Sequence, residues 1–309
     1  MPTNVKVAAA QLAPVFLDRE ATTDKACEAI AEAGGEGAKL VAFPETFLPG
    51  YPYFALFLPP TQINGYMQRL YDQAVTIGSE TTDALCAAAR EAECMVVMGL
   101  NEREGGTLYN SQLFIGADGT ILGNRRKLVP TSHERLVWGR GDGSDIQLYD
   151  TEFGKVGALI CYEHTNPLFR YAVQGQGEQI HIANWPGGMA GINDVIDAAV
   201  RSYAFEGQTF VINVTSILTE EMIAGMDATL GDLAEHLSPG GGYSSILSPR
   251  GKHLAGPLED AEGILYAELD FADIDRVKAI VDGSGHYARP DVVKLKLKRK
   301  KRRPLEIKD

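Results

Sequence analysis

Short apolar runs alternate with amphipathic stretches along most of the chain, the pattern of strands and helices in an α/β fold. Val5–Leu12 reads as a strand and Arg19–Ala33 as an amphipathic helix closed by Gly34-Gly35. Lys39–Glu45 is a buried strand, too short and too punctuated for a helix. A Pro/Gly/aromatic loop follows, and two helical stretches then run to about Ala92. Met95–Asn101, Thr107–Ile115 and Thr120–Arg126 form an antiparallel meander, with Asp118-Gly119 as its turn signal. The second half repeats this logic. Val156–Glu163 is a strand, Asn166–Gln174 a helix, Ile180–Trp185 a strand, Asn193–Glu206 a helix and Thr209–Thr215 a strand. Ser244–Leu247, a Pro249-Arg250-Gly251 turn, His253-Leu254 and Ile264–Asp270 make a second meander. Near-continuous apolar strands call for sheets covered on both faces. Two such halves stack sheet to sheet, with helices outside, as a four-layer α-β-β-α sandwich.

Composition narrows the class. With 309 residues, 45% of them apolar, the chain can bury a core without staples. No linker separates the halves, so residues 1–293 are expected to form one domain, followed by a basic tail over 294–309. Lys294–Arg303 holds 8 of the 29 basic residues and no acid, leaving 21 bases against 41 acids, a net of −20, for the rest. Such a tail is expected to lie solvated against the acidic body of its own or a neighbouring subunit, and Lys-Leu-Lys-Leu also fits an edge strand. No apolar stretch approaches the roughly 20 residues of a membrane span, and no leader pattern precedes the first strand. A soluble cytoplasmic protein without membrane contact is expected. Cys27, Cys86 and Cys94 read as buried small hydrophobes, and the four cysteines form neither a disulfide framework nor a metal motif. Serine-hydrolase, zinc-protease and P-loop signatures are absent, and Gly139–Gly143 lacks dinucleotide spacing.

Three reactive side chains stand at strand ends: Glu45, Lys127 and Cys161. Sites in α/β sheets collect there. A thiol needs a base or a nearby cation to become a good nucleophile. A partly buried Glu gains basicity, and a Lys favours thiolate and developing negative charge.

Phe43-Pro44-Glu45, Arg126-Lys127-Leu128-Val129-Pro130-Thr131 and Ile160-Cys161-Tyr162-Glu163 resemble, in order, the three signatures of the nitrilase superfamily. Lys127–Arg135 with Trp138–Ser144, and Gly285–Asp291, look like its true nitrilase branch; Tyr162 stands where Trp is commoner. The resemblance implies the sandwich of that superfamily and hydrolysis of an organic nitrile to carboxylic acid and ammonia through a thioimidate and a thioester on Cys161. Glu45 is implied as base, Lys127 and the Tyr162 N–H as stabilisers, and Glu134 as the carboxylate orienting Lys127. Tyr51, Phe54, Tyr162, His164 and Trp185 are the expected substrate-binding residues, and no metal or other cofactor is implied. Homo-oligomers, from dimers to larger spirals, are implied too. Amidase, carbamoylase and cyanide-converting chemistry use the same three residues and stay open. A non-catalytic assembly or nucleic-acid-binding protein rests on the basic tail alone.

Overall fold

The computed structural model describes residues 4–302 apart from 190, 231–236 and 238, together with 305. Of the basic tail, 303, 304 and 306–309 therefore lie outside the described residues. The first half runs β1 (Asn4–Gln11), α1 (Arg19–Gly35), β2 (Leu40–Ala42), α2 (Phe54–Phe57), α3 (Asn64–Gln73), α4 (Glu80–Glu91), β3 (Met95–Glu104), β4 (Thr107–Ile115) and β5 (Ile121–Arg126). The second runs β6 (Tyr149–Thr151), β7 (Gly154–Ile160), α5 (Pro167–Gln174), β8 (Ile180–Trp185), α6 (Ile192–Gly207), β9 (Phe210–Thr215), α7 (Glu220–Leu230), β10 (Tyr243–Leu247), β11 (His253–Glu259), β12 (Gly263–Asp270) and α8 (Ala272–Lys278).

Two six-stranded sheets result, ordered β12-β1-β2-β3-β4-β5 and β11-β10-β9-β8-β7-β6. In each, three parallel strands (β1, β2, β3 and β7, β8, β9) are extended by antiparallel neighbours. The inner faces meet in one core, with Val7, Leu40, Val97 and Phe114 opposite Val156, Ile182, Phe210 and Ile212. Residues one position along point outward: Val41, Val96 and Met98 pack with Ala26, Ile30 and Leu85 of α1 and α4. Leu159, Ala183 and Val211 pack likewise with Val173, Ile196 and Val200 of α5 and α6. This is the expected four-layer sandwich. Gln11, at the end of β1, joins the sheets: its amide donates to the Leu258 and Ala261 carbonyls, and its oxygen accepts from Thr215 and from the Ser244 N–H.

Several expectations are corrected. β2 stops at Ala42, because Pro44 has no N–H to give a ladder and Thr46 takes φ +46°. β7 stops at Ile160, where Cys161 turns to φ +52° and opens a 3-10 turn over Cys161–Thr165. Cys27 and Cys86 are half-buried at the α1–α4 contact; Cys94 is buried as expected. Lys294–Leu297 forms no strand. Instead the tail lies over the loop after β5, where the Arg302 N–H donates to Asp142 and Arg299 to Gln147. β6, α7 and α8 had no clear signal.

Gly99 in β3 sits where a Cβ would overlap the Pro44 carbonyl. The Glu45 turn thus crosses β3 at backbone contact distance. Gly99→Ala is expected to cost about 1–3 kcal/mol through overpacking, read by denaturant unfolding.

Candidate active site

Three chain segments converge at the ends of β2, β5 and β7, so both sheets contribute. Glu45, Lys127 and Cys161 are all buried. The Lys127 ammonium donates to Glu45 Oε1 at 2.8 Å and to Glu134 Oε1 and Oε2 at 3.0 and 2.7 Å. A carboxylate oxygen of each acid and the Cys161 sulfur lie within 4.8 Å of one another. Among the described residues this is the one cluster of three acidic or thiol side chains close enough to hold a metal. Its central cation is the lysine ammonium, bonded to three carboxylate oxygens. The four residues singled out from the sequence for chemistry therefore form one unit.

Each is fixed from its own loop. Asn110 of β4 donates to Glu45 Oε1 at 2.6 Å, while Glu45 Oε2 is buried without a partner. Glu134 rides on a 3-10 turn capped by Thr131, whose N–H donates to Glu134 Oε2 at 2.6 Å. Tyr51 donates its phenolic proton to Glu134 Oε1 at 2.9 Å, so His133 Nε2, 2.9 Å from the Tyr51 hydroxyl oxygen, acts as donor to that hydroxyl.

Burial raises Glu45 to about 7, and Glu134 adds to the rise, against the lowering by Lys127 and Asn110. Burial alone would ease the proton off Lys127, but the charges of Glu45, Cys161 and Glu134 outweigh it and hold the ammonium protonated. Burial also pushes the Cys161 thiol well up, helped by both carboxylates and opposed by Lys127 and a hydrogen bond from the Tyr162 N–H. At rest Cys161 is a thiol beside a carboxylate of near-neutral pKa. That pairing favours proton transfer during attack.

A cavity of about 200 Å³ opens onto Cys161, lined by Tyr51, His133, Glu134, Tyr162, Met189 and Ile192 among others. Tyr51 and Tyr162 thus stand where substrate would bind. Phe54, Trp185 and His164 do not line it. Phe54 stacks on Tyr66, and Trp185 is fully buried between Tyr162 and His164. His164 bonds the Cys161 carbonyl at 2.7 Å. His286 is exposed near Ile280, away from the cavity.

Sequence reasoning missed Asn110 and the buried pair Arg125–Glu163. Glu163 Oε2 takes Arg125 at 2.6 Å and the Ile160 N–H at 2.8 Å, and Oε1 takes the Leu128 N–H at 2.7 Å. One carboxylate thereby pins the Cys161 turn to the strand end that carries Lys127. The available signal was polarity inside an apolar strand: Asn110, Ser111 and Gln112 stand directly before Leu113 and Phe114 on a strand buried almost throughout.

The family described as carbon-nitrogen hydrolase matches residues 6–279. A relative named Nitrilase 3, from an unknown prokaryotic organism, is 43% identical over 96% of this chain and 90% of its own length. An aliphatic nitrilase of Rhodococcus rhodochrous is 43% identical over 98% of this chain and 81% of its own. A Saccharomyces cerevisiae protein, a member of branch 10 of the nitrilase superfamily, superposes with a TM-score of 0.72 at 23% identity, covering 93% of this chain and 97% of that one.

Glu163→Gln is expected to leave Arg125 buried and unpaired and to cost about 3–5 kcal/mol. Replacing both members with apolar residues is expected to cost less than either single change, by chemical denaturation.

Proposed function

This chain belongs to the carbon–nitrogen hydrolase family, and on that premise we propose that it hydrolyses organic nitriles to the carboxylic acid and ammonia, with Cys161 as nucleophile. The observation that carries the reading is the Lys127 ammonium, held between Glu45 and Glu134 beside the thiol. Relatives 43% identical over nearly the whole chain are named nitrilases, which favours a nitrile over an amide as substrate. Nothing beyond the basic tail supports the nucleic-acid reading.

Glu45 takes the thiol proton as sulfur bonds to the nitrile carbon, and the negative charge moves to nitrogen. Lys127 and the Tyr162 N–H face that charge, and the nitrogen takes the proton from Glu45, which leaves a thioimidate and restores the carboxylate. Glu45 then activates a water molecule against the thioimidate carbon. Ammonia departs and a thioester remains. A second water cleaves the thioester, releases the acid and returns the proton to sulfur. Glu134 acts by fixing Lys127, and Tyr51 and Tyr162 flank the substrate. No step calls on a metal or an organic cofactor.

Self-association and a cytoplasmic setting belong to the same proposal. Leu168 (61% exposed), Phe205 (65%), Tyr287 (72%) and Val293 (79%) present apolar surface from α5, the end of α6 and the segment after α8. Arg170–Glu206 and the Gly283 N–H to Gln208 tie these elements side by side. Exposed apolar side chains on neighbouring elements fit a second copy. No helix among the described residues is long and apolar enough to cross a membrane, and all four cysteines are free thiols.

Cys161→Ala is expected to lower ammonia release from nitriles by at least about a thousandfold with an unchanged circular dichroism spectrum; retained turnover would refute the mechanism. Because Glu45 has to be ionised to accept the thiol proton, kcat/KM should rise with pH through about 7 and level off above it. Asn110→Ala removes a donor to the carboxylate and should move that midpoint upward, in a pH–rate profile. Phe205→Asp with Leu168→Asp should reduce the sedimenting species toward the monomer.

A further inference from the structure

Cys161 is held from behind by four buried side chains that the chemistry above does not use. His164 Nδ1 lies 2.7 Å from the Cys161 carbonyl oxygen, and its Nε2 lies 2.9 Å from His181 Nε2. His181 Nδ1 lies 2.7 Å from Glu178 Oε1, and Tyr203 donates to Glu178 Oε2 at 2.6 Å. All four are buried. The rings are locked by stacking, His181 on Tyr203 at 3.7 Å between centroids and His164 on Trp185 at 5.2 Å.

The hydrogen-bond directions follow from one fixed end. A carbonyl only accepts, so His164 donates through Nδ1. A neutral His164 then accepts at Nε2, His181 donates from its own Nε2, and His181 Nδ1 accepts. The donor left for that nitrogen is Glu178 as a carboxylic acid, whose other oxygen accepts from Tyr203. An imidazolium at either histidine with Glu178 ionised would keep the same contacts. Burial disfavours it, holding both imidazoles well below their usual pKa and the Glu178 acid well above its own. For His164 the neighbouring His181, Arg125 and Arg170 act in the same direction. Arg125 does so for His181 too, opposed by its partner Glu163.

The far end of this chain reaches the reaction. The Cys161 carbonyl and the Tyr162 N–H belong to one rigid peptide plane and point in opposite directions. Fixing the carbonyl on His164 therefore also fixes the direction of the N–H, which favours the ionised form of the Cys161 sulfur. It also holds Cys161 in its left-handed conformation, φ +52°, which is strained for a residue with a side chain and needs such support.

We propose that Glu178, as a neutral carboxylic acid, and His181 are positioning residues that set the tautomer of His164 and, through the Cys161–Tyr162 peptide plane, aim the Tyr162 N–H at the reacting atoms. The inference rests on Cys161 being the nucleophile. Glu178→Gln keeps a donor for His181 and an acceptor for Tyr203, whereas Glu178→Leu keeps neither. In the full-length protein the Gln variant is expected to hold kcat within about threefold of the parent, and the Leu variant to lose about tenfold or more with KM within about twofold. Imidazole ¹⁵N spectra of the parent and the Gln variant, near neutral pH, are expected to place the protons on His164 Nδ1 and His181 Nε2, with neither ring an imidazolium. An imidazolium at either ring, a Gln variant as damaged as the Leu variant, or a Leu variant as active as the parent overturns the proposal. Should the Leu variant fail to fold, the spectra and the Gln variant decide. Should the parent release no ammonia from any nitrile, the nitrile reading fails on its own. The rate of Cys161 alkylation by iodoacetamide then reports the same Gln–Leu comparison.

Discussion

One ammonium inside the protein serves two carboxylates and a thiol. Charges taken out of water are tolerated when paired and hydrogen-bonded, and here the pairing is deliberately short by one cation. Burial raises the proton affinity of Glu45 and keeps the Cys161 sulfur protonated, Glu134 adds to both effects, and the single charge of Lys127 offsets only part of the rise. A second cation would leave Glu45 too weak a base; removal of Lys127 would strand two buried anions. The reactivity of the thiol is therefore a property of the cluster, and the surrounding loops serve to hold that cluster at hydrogen-bonding distance.

The loops do so with strained backbone. Thr46, Ser132 and Cys161 all take positive φ, and each is itself a site residue or adjoins the turn bearing one. Left-handed conformations at non-glycine residues survive where neighbouring contacts over-determine them. The supports are visible: Gly99 lets the Pro44 carbonyl approach, Thr131 and Glu134 cap each other, and Glu163 gathers Arg125 and two backbone N–H groups. Buried polar side chains that look like misfits in apolar strands are the struts of the site.

Much of this was legible in the residues. Short, near-continuous apolar runs and helical stretches gave both half-repeats and hence the layered sandwich, since apolar strands covered on both faces leave few other arrangements. Glu45, Lys127 and Cys161 stood out because ordered motifs at strand ends carry them. Strand ends were less visible: the turns at Thr46 and Cys161 occur inside apolar sequence, where periodicity carries no stop signal. The pocket wall was harder still. Trp185 and Phe54 were expected beside substrate because they are aromatic and near the motifs, yet a large ring beside a motif can equally turn into the core, as both do here. Asn110 and Glu178 matter through contacts 65 residues away for Glu45 and 25 for Tyr203, which no local pattern encodes.

β1 is flanked on its outer side by β12 over its whole length, Asn4 opposite Asp270 and Gln11 opposite Gly263. β1 is thus made ahead of the other described strands and waits for the last of them, β12, before it is covered on that side. Glu45, Lys127 and Cys161 are all synthesised long before that closure. A growing chain carries every reacting group early and yet exposes an unpaired, alanine-rich edge, the kind of surface that recruits foreign strands.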